Sequence, residues 1–344
     1  MPDRQTLRSL PKVELHRHLD GSVRFQTILD LARRHDLELG SASVEELRER
    51  TRIRSPLRDL EEVIARFAVI QKVLCCYEAL RRVTYENVED AWRDGVKLLE
   101  LRFAPGFIAA GKKLGNDEII EGVLDGVADG LERYPIEAGL IGILPRTASP
   151  ESNRAATADL IRYAGGAHRG ADRLVGFDLA DSETAVPPED FLPLVEQARA
   201  AGLGITVHSG ENTSAAAVRR TLELFRPGRI GHGIRAWDEP ETVERLRRLE
   251  VHLEICPTSN WLTRSVPSLE AHPLPDLYRA GVPLSINSDD PWLMDIDLVH
   301  EYELAARLYR FSLADFQAIN RSAAKASFLP PEARRRVLQA WFPP

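Results

Sequence analysis

Four of the nine histidines stand where short apolar runs end. In Glu14-Leu15-His16-Arg17-His18, the period of two of an extended strand sends Glu14, His16 and His18 to one face and Leu15 and Arg17 to the other. Two imidazoles then converge on one point, although an isolated His-x-His pair is also compatible with two buried, hydrogen-bonded histidines. His208 closes the run Thr206-Val207-His208-Ser209-Gly210-Glu211, with a carboxylate three residues on. His232 lies between Gly231 and Gly233, and glycines let backbone come close to a ligand. Ser288-Asp289-Asp290-Pro291 offers two adjacent carboxylates, which taken alone read as a turn or a helix cap.

The elements that must hold these residues alternate regularly. Runs rich in Val, Ile and Leu at 13–19, 96–103, 138–144, 174–179, 204–208, 229–232, 252–256 and 282–287 read as eight strands. Helical periodicity fills the gaps, over 25–35, 60–92, 117–133, 155–168, 189–201, 215–225 and 239–249. Eight strands alternating with helices over 344 residues predict an α/β fold, a (β/α)8 TIM barrel forming a single domain over 1–344. A doubly wound open sheet is the alternative, but no Gly-x-Gly-x-x-Gly follows the first strand. Extra helices are expected after strand 1 and at the C-terminus, the latter over 297–309, 312–327 and 332–341. The stretch 57–92 is too long for an ordinary barrel helix, and its apolar stripe reads as core or, at a barrel mouth, as a lid.

The C-terminal strand ends of such a barrel share one rim, where active sites of this fold are built. His16, His18, His208, His232 and Asp289 would all lie on it, and strand ends far apart in sequence have no structural reason to collect imidazoles. Borderline-soft nitrogen with one hard carboxylate suits a divalent transition metal, zinc first, with room left for a water. Such an ion lowers the water's pKa from 15.7 toward about 7 and so provides a nucleophile at neutral pH. Glu211 and His232 are then the available proton carriers.

Composition excludes other classes. With 28% charged and 44% hydrophobic residues, the chain can bury a core and is not disordered. A net charge of -7 without a concentrated basic face argues against nucleic-acid binding, and Arg33-Arg34 and Arg334-Arg335-Arg336 read as solvated helix faces. No apolar run approaches the roughly 18 residues of a membrane span, and Met1-Pro2-Asp3-Arg4 does not begin a signal peptide, so a cytoplasmic protein with no membrane partner is expected. Cys75, Cys76 and Cys256 form neither a Cys-x-x-Cys pair nor a framework for disulfides.

Five segments resemble the signature blocks of adenosine deaminases: Leu10-Pro11-Lys12-Val13-Glu14-Leu15-His16-Arg17-His18-Leu19-Asp20-Gly21-Ser22, His208-Ser209-Gly210-Glu211, Arg229-Ile230-Gly231-His232-Gly233, Glu254-Ile255-Cys256-Pro257-Thr258-Ser259-Asn260 and Ser285-Ile286-Asn287-Ser288-Asp289-Asp290-Pro291. The segment Ser327-Phe328-Leu329-Pro330 is similar too, and the likeness runs from about residue 10 to about residue 330 in matching order. The resemblance implies a zinc-dependent barrel that converts adenosine and 2'-deoxyadenosine to inosine and 2'-deoxyinosine plus ammonia. By motif position, His16, His18, His208 and Asp289 would hold the metal. Glu211 would protonate purine N1, His232 would orient or deprotonate the attacking water, and Asp290 would meet N7. Asp20, and His18 through its edge, would meet the ribose hydroxyls. These roles agree with what hydrolytic deamination through a tetrahedral C6 requires.

The same resemblance marks two departures. Ser209 stands where the family has Ala, and Asp181 with Ser182 stand where it has Gly and Asp. The family's Gly brings a backbone N–H to purine N3. Asp tolerates a left-handed backbone better than most residues. Asp181 is therefore expected to keep glycine's backbone angle, offer its own N–H to N3 and turn its carboxylate toward solvent. Asp20, Asp181, Glu183, Glu211, Asp289 and Asp290 would surround the pocket, which favours a nucleoside over a nucleotide. The alternatives are deamination of adenine or of a 5'- or N6-modified adenosine, and, more remotely, an inactive barrel serving as a binding protein.

Overall fold

The computed structural model describes residues 2–57 and 60–343. Eight strands form one sheet in chain order: β1 (Lys12–His18), β2 (Val96–Phe103), β3 (Glu137–Pro145), β4 (Leu174–Ala180), β5 (Gly204–Ser209), β6 (Arg229–His232), β7 (His252–Ile255) and β8 (Leu284–Ile286). Each neighbouring pair from β1 to β8 is parallel. Strands covered on both faces must be apolar or internally paired throughout. Every residue of β4, β6, β7 and β8 is accordingly buried. The architecture is the (β/α)8 barrel expected from the alternation.

No regular ladder closes the seam between β8 and β1. His18 N–H donates to the Asp289 carbonyl (2.9 Å), Asp289 N–H to the His16 carbonyl (3.1 Å), and Leu15 N–H to the Asn287 side chain (2.9 Å). Closing the barrel therefore carries Asp289 to the two histidines of β1.

Strand β1 departs from strict alternation, because its register passes from Glu14 opposite Leu99 to Arg17 opposite Leu101. One extra residue is thus inserted. Val13 and Leu15 pack in one apolar cluster, while Glu14 pairs with Arg17 (2.8 Å) and accepts from Ser288 N–H (3.0 Å). This corrects the expectation that Glu14 shares the face of His16 and His18. The bulge frees the two imidazoles to meet without it.

The C-terminal segment seals the floor. Ser327 Oγ and Phe328 N–H both donate to Glu100 Oε1 at 2.6 Å, and the Arg229 guanidinium lies 3.7 Å from the Phe328 ring centre. Gly204 and Gly176 make room for that ring, since a Cβ on either would collide with it. Above the floor, charges climb the barrel axis as pairs: Glu100 with Arg229 (2.6 Å), Arg229 with Glu254 (2.6 Å), Glu254 with Arg102 (2.7 Å) and Arg102 with Asp178 (2.8 Å).

Between β1 and β2 the extra helices are Phe25–Arg34, Val44–Thr51, Leu60–Val73 and Tyr77–Arg93. The continuous helical stretch expected over 60–92 is two helices, parted where Cys76 turns extended (φ -160°, ψ 168°). The second helix lies directly on Gly122, Gly126 and Gly130 of the helix Asn116–Arg133, a backbone approach that sets its direction independently of the first. The insertion does reach the rim: Ile53 N–H donates to Leu293 (2.7 Å) and Leu57 N–H to Leu262 (2.9 Å), beyond β8 and β7. The helix expected at 155–168 is Pro150–Ala164, started by the Ser149 cap with Pro at its first turn and ended at Gly165. Among the described residues, no helix is long and apolar enough to cross a membrane.

Candidate active site

The rim brings the expected residues together. A ring nitrogen from each of His16, His208 and His232 lies within 4.8 Å of the others. Asp289 Oδ1 is 3.3 Å from His16 Nε2 and 3.4 Å from His18 Nε2, and those two nitrogens are 3.3 Å apart. The His18 and His208 ring centres are 5.5 Å apart. Behind the rings, His16 Nδ1 meets Glu254 Oε2 (2.9 Å) and His208 Nδ1 meets Asp178 Oδ1 (3.1 Å). Burial would raise both carboxyls, but Arg102 and Arg229 hold Glu254 well below its usual range, and His208 and Arg102 do the same for Asp178. Ionised carboxylates accept, so each Nδ1 donates its proton to the carboxylate behind it, and each Nε2 faces the rim centre. This is the backing that metal-bound imidazoles need, and the donor set fits a borderline cation such as zinc.

A directed chain supports His232. Leu274 N–H donates to His272 Nδ1 (3.0 Å), His272 Nε2–H to Asn260 Oδ1 (3.1 Å), and Asn260 Nδ2–H to His232 Nδ1 (3.0 Å). Burial pushes His272 down to about 3 and lowers His232 as well, so both rings are neutral. The proton of His232 is therefore on Nε2, 3.7 Å from Glu211 Oε2 and 3.9 Å from Asp289 Oδ2. Glu211 Oε1 accepts from Thr263 Oγ1 (3.0 Å), which leaves Oε2 toward the rim centre.

Beside the rim cluster, the carboxyl oxygens Asp20 Oδ1 and Asp290 Oδ1 are buried without a hydrogen-bond partner. Burial pushes Asp20 up to about 6. Asp290 is raised well above its usual range by burial and by Asp289, Asp20 and Glu211. Only glycine fits at Gly21, where a Cβ would overlap the Asp290 carboxyl. Three non-glycine residues of the rim take left-handed backbone, Asp181 (φ 75°), His232 (φ 59°) and Asp289 (φ 62°). Strain of that kind gathers at functional sites.

The family model for adenosine deaminase matches residues 11–341. This chain belongs to the adenosine deaminase family. An adenosine deaminase of Klebsiella pneumoniae is 37% identical over 331 residues, which covers 96% of this chain and 97% of that one. Among solved structures, adenine deaminase from Arthrobacter aurescens matches with a TM-score of 0.86 at 26% identity, covering 96% of this chain and 97% of its own. N6-methyl-AMP deaminase from Arabidopsis thaliana matches with a TM-score of 0.83 at 30% identity, covering 98% of each chain. The enzyme class is thereby that of a deaminase-family hydrolase.

Against the adenosine deaminase pattern, the two departures find local explanations. Asp181 has glycine's backbone angle, as expected. Its exposed carboxylate accepts from Ser182 N–H (2.7 Å) and from the hydroxyl and N–H of Thr147. Ser209 Oγ is occupied by the Thr221 hydroxyl (2.8 Å). Glu183, expected to line the pocket, is committed elsewhere. It binds the N–H groups of Gly210 (2.7 Å), Glu211 (2.9 Å) and Asn212 (3.1 Å) and the Thr213 hydroxyl (2.6 Å), and so fixes the loop that carries Glu211. Sequence reasoning missed this anchor, the backing carboxylates Asp178 and Glu254, and the Asn260–His272 chain. The one available signal was charge inside otherwise apolar strands, at Glu100, Arg102, Asp178 and Glu254. Cys256 lies within ligand reach of His16 and Asp289, and burial raises its thiol well above the ordinary value.

Proposed function

We propose that this chain hydrolytically deaminates adenosine and 2'-deoxyadenosine to inosine and 2'-deoxyinosine plus ammonia, with one zinc ion held by His16, His18, His208 and Asp289. When bound, the ion makes a water acidic enough to attack at neutral pH. Glu211 delivers a proton to purine N1 through Oε2, which leaves C6 electrophilic. His232, whose Nε2–H is directed inward by Asn260, orients the attacking water. Asp289 keeps its second oxygen beside that histidine, where it can take the water's proton. The carboxyl of Asp290 donates to N7, and the Asp181 N–H donates to N3.

The observation that carries the substrate is Asp20. Its Oδ1 is buried and unpartnered, and its Oδ2 receives only a long contact from Gln71 Nε2 (3.4 Å). Such an oxygen wants a hydroxyl donor, which the ribose of a nucleoside supplies together with the edge of His18. A 5'-phosphate would bring negative charge against it, and free adenine would leave it unsatisfied.

Steady-state release of ammonia from adenosine, 2'-deoxyadenosine, adenine and AMP, and of methylamine from N6-methyl-AMP, tests the assignment. Both nucleosides should lead, with AMP lower in kcat/KM by about 100-fold, or roughly 2.7 kcal/mol of transition-state binding. Faster turnover of adenine or of either nucleotide than of adenosine would overturn it.

A further inference from the structure

A second group of soft ligands lies at the turn that follows the helix Leu60–Val73. A ring nitrogen of His35 and the Sγ atoms of Cys75 and Cys76 all lie within 4.8 Å of one another, and all three residues are half-buried. His35 Nε2 is 3.6 Å from Cys76 Sγ. Tetrahedral zinc, with bonds of about 2.3 Å to sulfur and about 2.0 Å to nitrogen, spaces such a pair by about 3.6 Å.

Helix capping does not account for the arrangement. Cys76 is the N-cap of Tyr77–Arg93 yet makes no side-chain cap bond, where Ser or Asp would make one. His35 is the C-cap of Phe25–Arg34 and comes from 41 positions away in sequence to meet that thiol. Burial and the neighbouring Cys76 raise the Cys75 thiol to about 11, so it is not a reactive thiolate of the kind redox sensors use. Two thiols that surrender their protons to a divalent ion would leave the group neutral. Glu78, exposed beside Cys76, leaves the fourth position to its carboxylate or to water.

We infer that His35, Cys75 and Cys76 form a binding site for one soft divalent cation of the zinc class, apart from the rim cluster. An ion there clamps the end of the helix Leu60–Val73, which reaches Asp20 through Gln71, to the ends of two neighbouring helices. Cadmium titration of the enzyme already loaded with its rim metal tests the site. Thiolate-to-cadmium absorption in the ultraviolet should saturate at one added equivalent and fall when zinc competes. It should vanish in Cys75→Ser/Cys76→Ser and persist in Cys256→Ser. His35→Ala keeps both thiols and should weaken cadmium binding by about tenfold or more, which decides the matter should the double variant fold poorly. The double variant should keep kcat/KM within about twofold of the parent. Absence of the absorption, its survival in the double variant, or unchanged affinity in His35→Ala would overturn the site. So would thiol titration of fresh, unreduced enzyme showing Cys75 and Cys76 joined to each other.

Discussion

Glu211→Gln should lower kcat by about 10²- to 10⁴-fold, the usual worth of a positioned proton donor, while elemental analysis finds the rim metal retained. The reason is local: Oε1 is held by Thr263 and only Oε2 faces the rim, so the amide keeps the shape and loses the proton. Loss of metal with activity recovered on reloading would instead make Glu211 a ligand. Asp181→Gly should change kcat/KM for adenosine by less than about tenfold, roughly 1.4 kcal/mol, because Asp181 already has a left-handed φ of 75° and its side chain points to Thr147 and Ser182. A much larger gain would show the carboxylate intruding on the purine. At this scale His16, His18, His208, His232 and Asp289 were legible because imidazoles at distant strand ends have little else to do. Glu14 was misplaced because a bulge cannot be read from alternation. Asp178 and Glu254 were passed over because their partners, Arg102 and Arg229, come from other strands.

At the scale of elements, the eight strands were legible from their apolar runs, and the break at Cys76 was not, because no Gly or Pro marks it. Its cause lies in the glycine face of the helix Asn116–Arg133, a contact distant in sequence. The helix Leu298–Leu308 carries a buried carboxyl, Glu301, whose Oε1 accepts from Thr258 N–H (3.2 Å) and whose Oε2 has no partner. Burial pushes it up from 4.5 to about 8. A carboxyl raised on folding stabilises the fold below its unfolded pKa, and that contribution is lost as pH rises through the folded value. The parent enzyme should therefore lose stability between pH 5 and 8 relative to Glu301→Gln. Urea unfolding of the two holoenzymes should show a difference that grows across this window by at least about 1.4 kcal/mol, one pKa unit's worth. A constant difference would mean that Glu301 is ionised throughout.

Across the whole molecule, the chain's two ends of function are built by closure. The seam between β8 and β1 is completed by Asp289 itself, so the barrel cannot close without assembling the rim cluster. The floor is plugged by Phe328 and Leu329, and the charged pairs between floor and rim connect Glu100 to the carboxylates behind His16 and His208. That axial network was invisible in one sequence, because its order depends on which strands become neighbours across the barrel. Reading the rim as a catalytic metal site for adenosine is tested most directly by returning zinc to chelator-stripped Cys75→Ser/Cys76→Ser protein while ammonia release from adenosine is followed. Stripped protein should be inactive, and activity should rise linearly to a plateau at one zinc per chain. Undiminished deamination of adenosine by metal-free protein, or none by protein reloaded with one zinc, would contradict that reading.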